Sequence, residues 1–267
     1  MHAAPPLVID GCPLRVEGAD GPVLLMLHGW PDTAALWDGS VAALSDRFRC
    51  VRVSLPGYVR GEGRAPASLA AMSDWLRRVA DAVSPGQPLT LVLHDWGCVF
   101  GYEFAARHAD RVARIVAVDV GDHNSAALSR ELSPRARRAV FGYQFWLALA
   151  WWMGGSIGDR MTRWMARRLR CPTLGPAVGC QMNYPYAMRW FGSLGGLAVA
   201  APVDPVQPLL YVYGQRKPFM FHSRDWLARL AARPGCAAHG LPTGHWVMVQ
   251  APQDFARIVR GWLTGAA

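Results

Sequence analysis

The chain has 267 residues, 52% of them hydrophobic, and a formal net charge of +9. That length suits one α/β domain with an inserted segment and a sizeable core. Met1 to Gly11 lacks the charged-then-apolar order of a secretory leader, and no alternation of basic and aromatic residues points to nucleic acid. Phe141 to Met153 is very apolar but too short for a helix crossing a bilayer about 30 Å thick, so no integral membrane segment is expected and this run should be buried or line a pocket. The six cysteines (12, 50, 98, 171, 180 and 236) are scattered without metal-ligand spacing, so the expectation is reduced thiols in a cytoplasm and no metal.

In chain order, Leu7–Ile9 and Leu14–Val16 predict an opening hairpin, and Val23–Leu27 a core strand. That strand runs into His28-Gly29-Trp30-Pro31-Asp32, a sharp turn of the kind that leaves backbone N–H groups unpaired and aimed inward, although many strand ends look similar. Asp38–Leu44 predicts a helix, Cys50–Ser54 a strand and Ala71–Val83 a helix. The short apolar run Pro88–Leu93 then breaks at His94-Asp95-Trp96-Gly97, and helical spacing resumes over Val99–Ala106. Asp95 therefore sits at the apex of a strand-to-helix turn, where it reads either as a nucleophile or as a helix N-cap.

Arg114–Val120 is a further short apolar strand, expected to be parallel. From about 123 to 206 strand signals stop while Trp, Tyr, Met and Arg accumulate, with ten arginines against three acids. Within it Met161–Arg170 predicts a helix with Met161, Trp164, Met165 and Leu169 on one face and arginines on the other. Such a helix can approach a membrane surface or an acidic partner; a solvated outer face is the commoner reading. Leu209–Tyr213 and Cys236–Leu241 complete the strands, Gly244-His245-Trp246 follows, and Pro252–Leu263 closes the chain as a helix. Alternating strands and helices predict a mostly parallel, doubly wound α/β sheet. Residues 1–122 and 207–267 form its core and 123–206 an inserted helical cap.

The HGxP turn at His28–Pro31, the HDWG turn at His94–Gly97 and the late His245, in that order, resemble the α/β-hydrolase superfamily over essentially the whole chain. The Asp at the turn's apex resembles the epoxide hydrolase and haloalkane dehalogenase branch. The resemblance implies Asp95 as a nucleophile that forms an alkyl ester, His245 as the base that activates water, and the backbone N–H groups of Trp30 and Trp96 as an oxyanion hole. It implies a pocket lined by His28, Pro31, Trp146 and Trp151. Phe141–Trp146 resembles the first tyrosine motif of epoxide hydrolases, through Tyr143, and Asn183–Arg189 the second, through Tyr184 or Tyr186. These phenols either donate to the oxygen of an opening epoxide or are packing residues. No organic cofactor is implied, and the expected partner is a small apolar substrate, with self-association left open.

Two departures stand out. Leu93, two residues before Asp95, is larger than the residue epoxide hydrolases commonly place there. The segment that usually carries the third acid, G-x-x-D, reads Gly214-Gln215-Arg216-Lys217, and a lysine cannot orient a histidine. Resemblance to some dehalogenases moves that acid to the strand before the cap, which offers Asp119 and then Asp122; both also read as turn-capping residues. Two other functions stay open. One is a haloalkane dehalogenase with the same Asp and His, its halide held by Trp96 and by Trp146, Trp151 or Trp152. The other is a binding protein that has lost its acid. An ester or lactone hydrolase is disfavoured, because an Asp nucleophile would form an anhydride.

Overall fold

The structure, a computed structural model, describes residues 7–58 and 66–265; residues 1–6 of the N-terminal stretch read above lie outside them. Eight strands form one sheet: β1 (Leu7–Ile9), β2 (Cys12–Gly18), β3 (Val23–Leu27), β4 (Arg49–Val53), β5 (Leu89–His94), β6 (Val112–Val118), β7 (Leu209–Gly214) and β8 (Ala237–Leu241). Their order is β1-β2-β4-β3-β5-β6-β7-β8. The β1/β2 and β2/β4 pairs are antiparallel and the remaining pairs parallel. β5 at the centre is buried along its whole length, as expected of a strand covered on both faces. β8 at the edge is mostly half-buried and alternates less clearly.

Helix α1 (Asp38–Leu44) packs on α10 (Pro252–Thr264), and α2 (Leu69–Val83) on α3 (Trp96–Arg107). α2 shows how local sequence sets an element. Ser68 caps it by accepting from the Ala71 N–H, and Leu69, Met72, Leu76, Val79 and Val83 recur at helical spacing as its buried stripe.

Between β6 and β7 the chain leaves the sheet for α4 (Ala126–Glu131), α5 (Pro134–Met153), α6 (Gly155–Arg168) and α7 (Tyr184–Phe191). Two expectations fail here. On α5 only Ala136, Leu147, Ala148 and Ala150 are buried, while Phe141, Phe145, Trp152 and Met153 face outward. On α6 the buried residues are Gly158, Asp159, Thr162, Met165 and Ala166, and Trp164 lies on the exposed side with Arg160, Arg167 and Arg168. The cause is close packing where α5 passes into α6: Gly158 sits where a Cβ would come within 2.3 Å of the Ala150 carbonyl, so small residues meet there and the large side chains are displaced to the flanks. Among the described residues no helix is long and apolar enough to cross a membrane. All six cysteines are unbridged. After β7 come α8 (Arg224–Ala232), then β8 and the short α9 (Val247–Gln250).

Candidate functional site

The chemistry-bearing residues converge at the C-terminal ends of the parallel strands, the general location of sites in open α/β sheets. Asp95 follows β5 with φ 53° and ψ −121°, a backbone conformation that L-residues rarely adopt and that functional sites often retain. Glycines make the turn possible. A Cβ on Gly97 would lie 2.4 Å from the Leu27 carbonyl, and one on Gly29 would lie 2.3 Å from Asp95 Oδ1 and 2.6 Å from the Trp96 nitrogen. Leu93 is accommodated by Gly101, where a Cβ would come within 2.4 Å of its side chain.

Asp95 Oδ1 accepts from the Trp30 N–H at 2.7 Å, and Oδ2 lies 3.4 Å from His245 Nε2. The other ring nitrogen of His245, Nδ1, binds Asp119 Oδ2, so the imidazole bridges two carboxylates. Asp119 stands just after β6 and is fully buried. Its Oδ1 accepts from the Gly214 N–H at 2.9 Å and pairs with Lys217 Nζ. The fallback acid Asp122 is engaged elsewhere: it takes the Ser223 N–H at 2.7 Å and the hydroxyls of Ser223 and Ser125. Asp119 is thus the acid at the histidine, and Lys217 stands against the acid.

The charges are mutually dependent. Burial alone would raise Asp95, but the hydrogen bond and charge of His245 hold it below the usual carboxylate range. Burial would likewise raise Asp119, which Lys217 and then His245 pull down. Burial would depress the His245 imidazole, yet the Asp119 carboxylate and hydrogen bonds to Asp119 and Asp95 carry it up to about 9. His94, whose ring centre lies 4.5 Å from that of His245 and whose Nε2 is 3.2 Å from its carbonyl oxygen, is pushed by burial down to about 3 and stays neutral.

This raised His245 value predicts a stability step. A group held above its unfolded value of 6.5 contributes fully below that pH, and its contribution is lost as pH rises through about 9. Urea unfolding should show stability falling across that window by on the order of 3 kcal/mol. In His245→Gln the step should flatten; an unchanged step would assign it to another group.

The tyrosines separate. Tyr143 on α5 and Tyr186 on α7 meet edge to face at 6.2 Å, and the Asp95 charge reaches both phenols, adding to burial in keeping them protonated. Tyr186 also packs on Trp96 at 5.1 Å and Trp30 at 5.8 Å. Tyr184 is instead buried against Tyr58 and Phe100, its hydroxyl without a hydrogen-bond partner among the described residues. Trp30 Nε1 donates to Asn183 Oδ1 at 2.8 Å, tying the HGxP turn to the start of α7.

The remaining expected pocket residues play visible packing parts. His28 is fully buried, its Nε2 accepting from the Leu55 N–H at 3.1 Å and its Nδ1 3.0 Å from the Gly29 carbonyl oxygen. Burial takes it down to about 4. Pro31 is buried in the same turn. Trp146 donates through Nε1 to the Met161 carbonyl and packs on Trp164, joining α5 to α6, and Trp151 is partly buried against the core. Among the described residues no hydrogen bond or ring contact links Trp146 or Trp151 to Asp95.

Three participants went unassigned in the sequence. Asp32 binds Trp246 Nε1 at 2.8 Å and the Thr173 hydroxyl at 2.6 Å, and burial raises it to about 6; it braces the residue beside His245. Asn183 is the second, and it showed no separate signal. Lys217 is the third, and composition marked it: the 28 basic residues comprise 27 arginines and this one lysine.

Among solved structures, an epoxide hydrolase from Bacillus megaterium in complex with an inhibitor superposes with a TM-score of 0.72, covering 97% of this chain and 100% of that one at 20% identity. The architecture is therefore that of the α/β hydrolases. A family model described as alpha/beta hydrolase fold matches residues 22–171, and the chain belongs to that family. Among curated proteins, Epoxide hydrolase 3 of Xenopus tropicalis is 24% identical over 91% of this chain and 71% of its own length. "Probable oxidoreductase EphD" of Mycobacterium tuberculosis is 39% identical over 117 residues, 41% of this chain. A haloalkane dehalogenase of Mycolicibacterium smegmatis is 34% identical over 106 residues, 38% of this chain. These two matches take in only 20% and 34% of the respective proteins.

Proposed function

We propose that the chain is a hydrolase that opens an apolar epoxide to a vicinal diol through an ester on Asp95, with residues 123–206 as the cap that brings its tyrosines over the nucleophile. The observation that carries this reading is one carboxylate in a strained turn, 17% exposed, with an imidazole at 3.4 Å on one side and two phenols within reach of its charge on the other. In the first step Asp95 attacks a ring carbon, the C–O bond breaks, and Tyr143 and Tyr186 donate to the departing oxygen, one of them giving up its proton to make it a hydroxyl and becoming a phenolate. In the second, His245 takes a proton from water as the water oxygen adds to the ester carbonyl. The resulting oxyanion meets the Trp30 and Trp96 N–H groups. Collapse expels the alkyl oxygen, which receives the proton held by His245, and the proton left on the Asp95 carboxyl returns to the phenolate, so the net change is epoxide plus water to diol. The unbridged cysteines fit a reducing compartment such as the cytoplasm.

The test is a panel of apolar epoxides and haloalkanes, scored for diol and for halide. Diol formation lost in Asp95→Asn supports the reading, whereas halide release without diol makes the chain a dehalogenase. Trp146 already spends its N–H on the Met161 carbonyl, which disfavours it as a halide donor. Tyr186→Phe should lower epoxide turnover by about 10²-fold, the scale of one lost oxyanion donor. Tyr184→Phe should leave turnover within about twofold and leave stability equal or higher, because it removes a buried hydroxyl that has no partner among the described residues. Equal losses in both variants would remove Tyr186 from the mechanism.

A further inference from the structure

We propose that Lys217 is a positioning residue for the second half-reaction: its ammonium neutralises Asp119 and occupies one carboxylate oxygen, leaving the other to orient His245 as a neutral base once Asp95 is esterified. This rests on the ester mechanism above and adds to it a group that the usual arrangement of site residues does not contain. The pairing is built, not incidental. Lys217 is 7% exposed and Asp119 is 0% exposed, and the ammonium also lies 5.6 Å from the centre of the Phe221 ring. The chain uses arginine at every other basic position, so retention of its single lysine here asks for a reason.

Geometry supplies one. A guanidinium is a planar fork that tends to capture both oxygens of a carboxylate, whereas an ammonium is a compact point charge. At Asp119 one oxygen must remain for His245 Nδ1, and Lys217 and the Gly214 N–H share the other.

Charge supplies the second reason. Facing the imidazole are Asp95 and His94 at the end of β5, Asp119 after β6, the Phe221 ring, and Trp246, which holds Asp32. Facing the ammonium are Asp119 and Phe221, with His222, pushed by burial down to about 4, as a neutral neighbour. In the free protein a protonated His245 is matched by Asp95. Ester formation removes the Asp95 charge, and the carboxylate still bonded to the imidazole is then already matched by Lys217. Without Lys217, Asp119 would hold the proton on His245 and delay its action as a base.

The test follows decay of a pre-formed ester in single-turnover experiments. In Lys217→Met the acid limb of the pH–rate profile should move up by about one unit, lowering the rate near neutrality about tenfold. Formation of the ester should change less than about threefold, since Asp95 is not the group affected. Lys217→Arg restores the charge, so its limb should return to the wild-type position while the plateau stays low because the fork competes for both oxygens. In the free protein the His245 ring resonance should titrate at higher pH in Lys217→Met than in wild type. An unmoved limb together with an unmoved His245 midpoint overturns the proposal and leaves Lys217 a packing residue. If no ester forms with any substrate the reaction assignment fails instead, and the His245 titration still decides whether Lys217 sets the charge on the imidazole.

Discussion

His245→Gln should stall the protein after one reaction, as a covalent ester visible by intact mass. Glutamine cannot accept a proton from water, so the step that clears the ester loses its base, whereas attack by Asp95 retains its carboxylate and the Trp30 N–H at 2.7 Å. Multiple turnover should fall by about 10²–10⁴-fold, the usual worth of a positioned base. The mass also separates the substrate classes. An epoxide adds its entire mass, because its oxygen stays attached, while a haloalkane adds its mass less that of the hydrogen halide lost. A folded His245→Gln protein that never gains mass with any member of the panel would exclude covalent catalysis by Asp95.

The second large effect is expected from Asp119→Asn. This carboxylate orients His245 Nδ1 and faces the ammonium of Lys217, so its loss strikes both partners. Leaving one half of a buried ion pair typically costs about 3–5 kcal/mol, and urea unfolding should register a loss of that order. Turnover should fall by up to about 10⁴-fold, as when a catalytic imidazole loses its orienting acid. In Asp119→Leu with Lys217→Met, where the buried charges go together, much of the stability should return while turnover does not. Turnover within about threefold of wild type in Asp119→Asn would mean that His245 takes its orientation from elsewhere.

How far the sequence could be read depended on whether a feature is local. The turns after β3 and β5 were legible because the tight geometry needs glycine within a few residues, and Gly29 and Gly97 mark the two points of closest approach. The parallel strands were legible as short apolar runs, and the bounds of β3 and β1 agree with those read. Asp119 could be ranked ahead of Asp122 but not assigned, because which one meets His245 depends on the β6/β7 register and on the serines that claim Asp122. Tyr184 and Tyr186 differ by two positions on one short helix, so only the placement of α7 decides which of them turns to Asp95. The outward aromatics of α5 were misjudged because hydrophobicity gives a tendency to bury, not a direction. Lys217 was noticed as a missing acid, whereas its meaning lies across the sheet, in the carboxylate it faces.

The edge position of β8 has a bearing on wear. Among the described residues that strand pairs with β7 alone, and its residues are mostly half-buried, whereas β5, which leads into Asp95, is enclosed by β3 and β6. Frayed margins open before enclosed centres do. Ageing or gently heated protein would therefore lose grip on the imidazole first and keep the carboxylate in place. Such molecules would still react once with substrate and then remain spent, turning a catalyst into a stoichiometric scavenger.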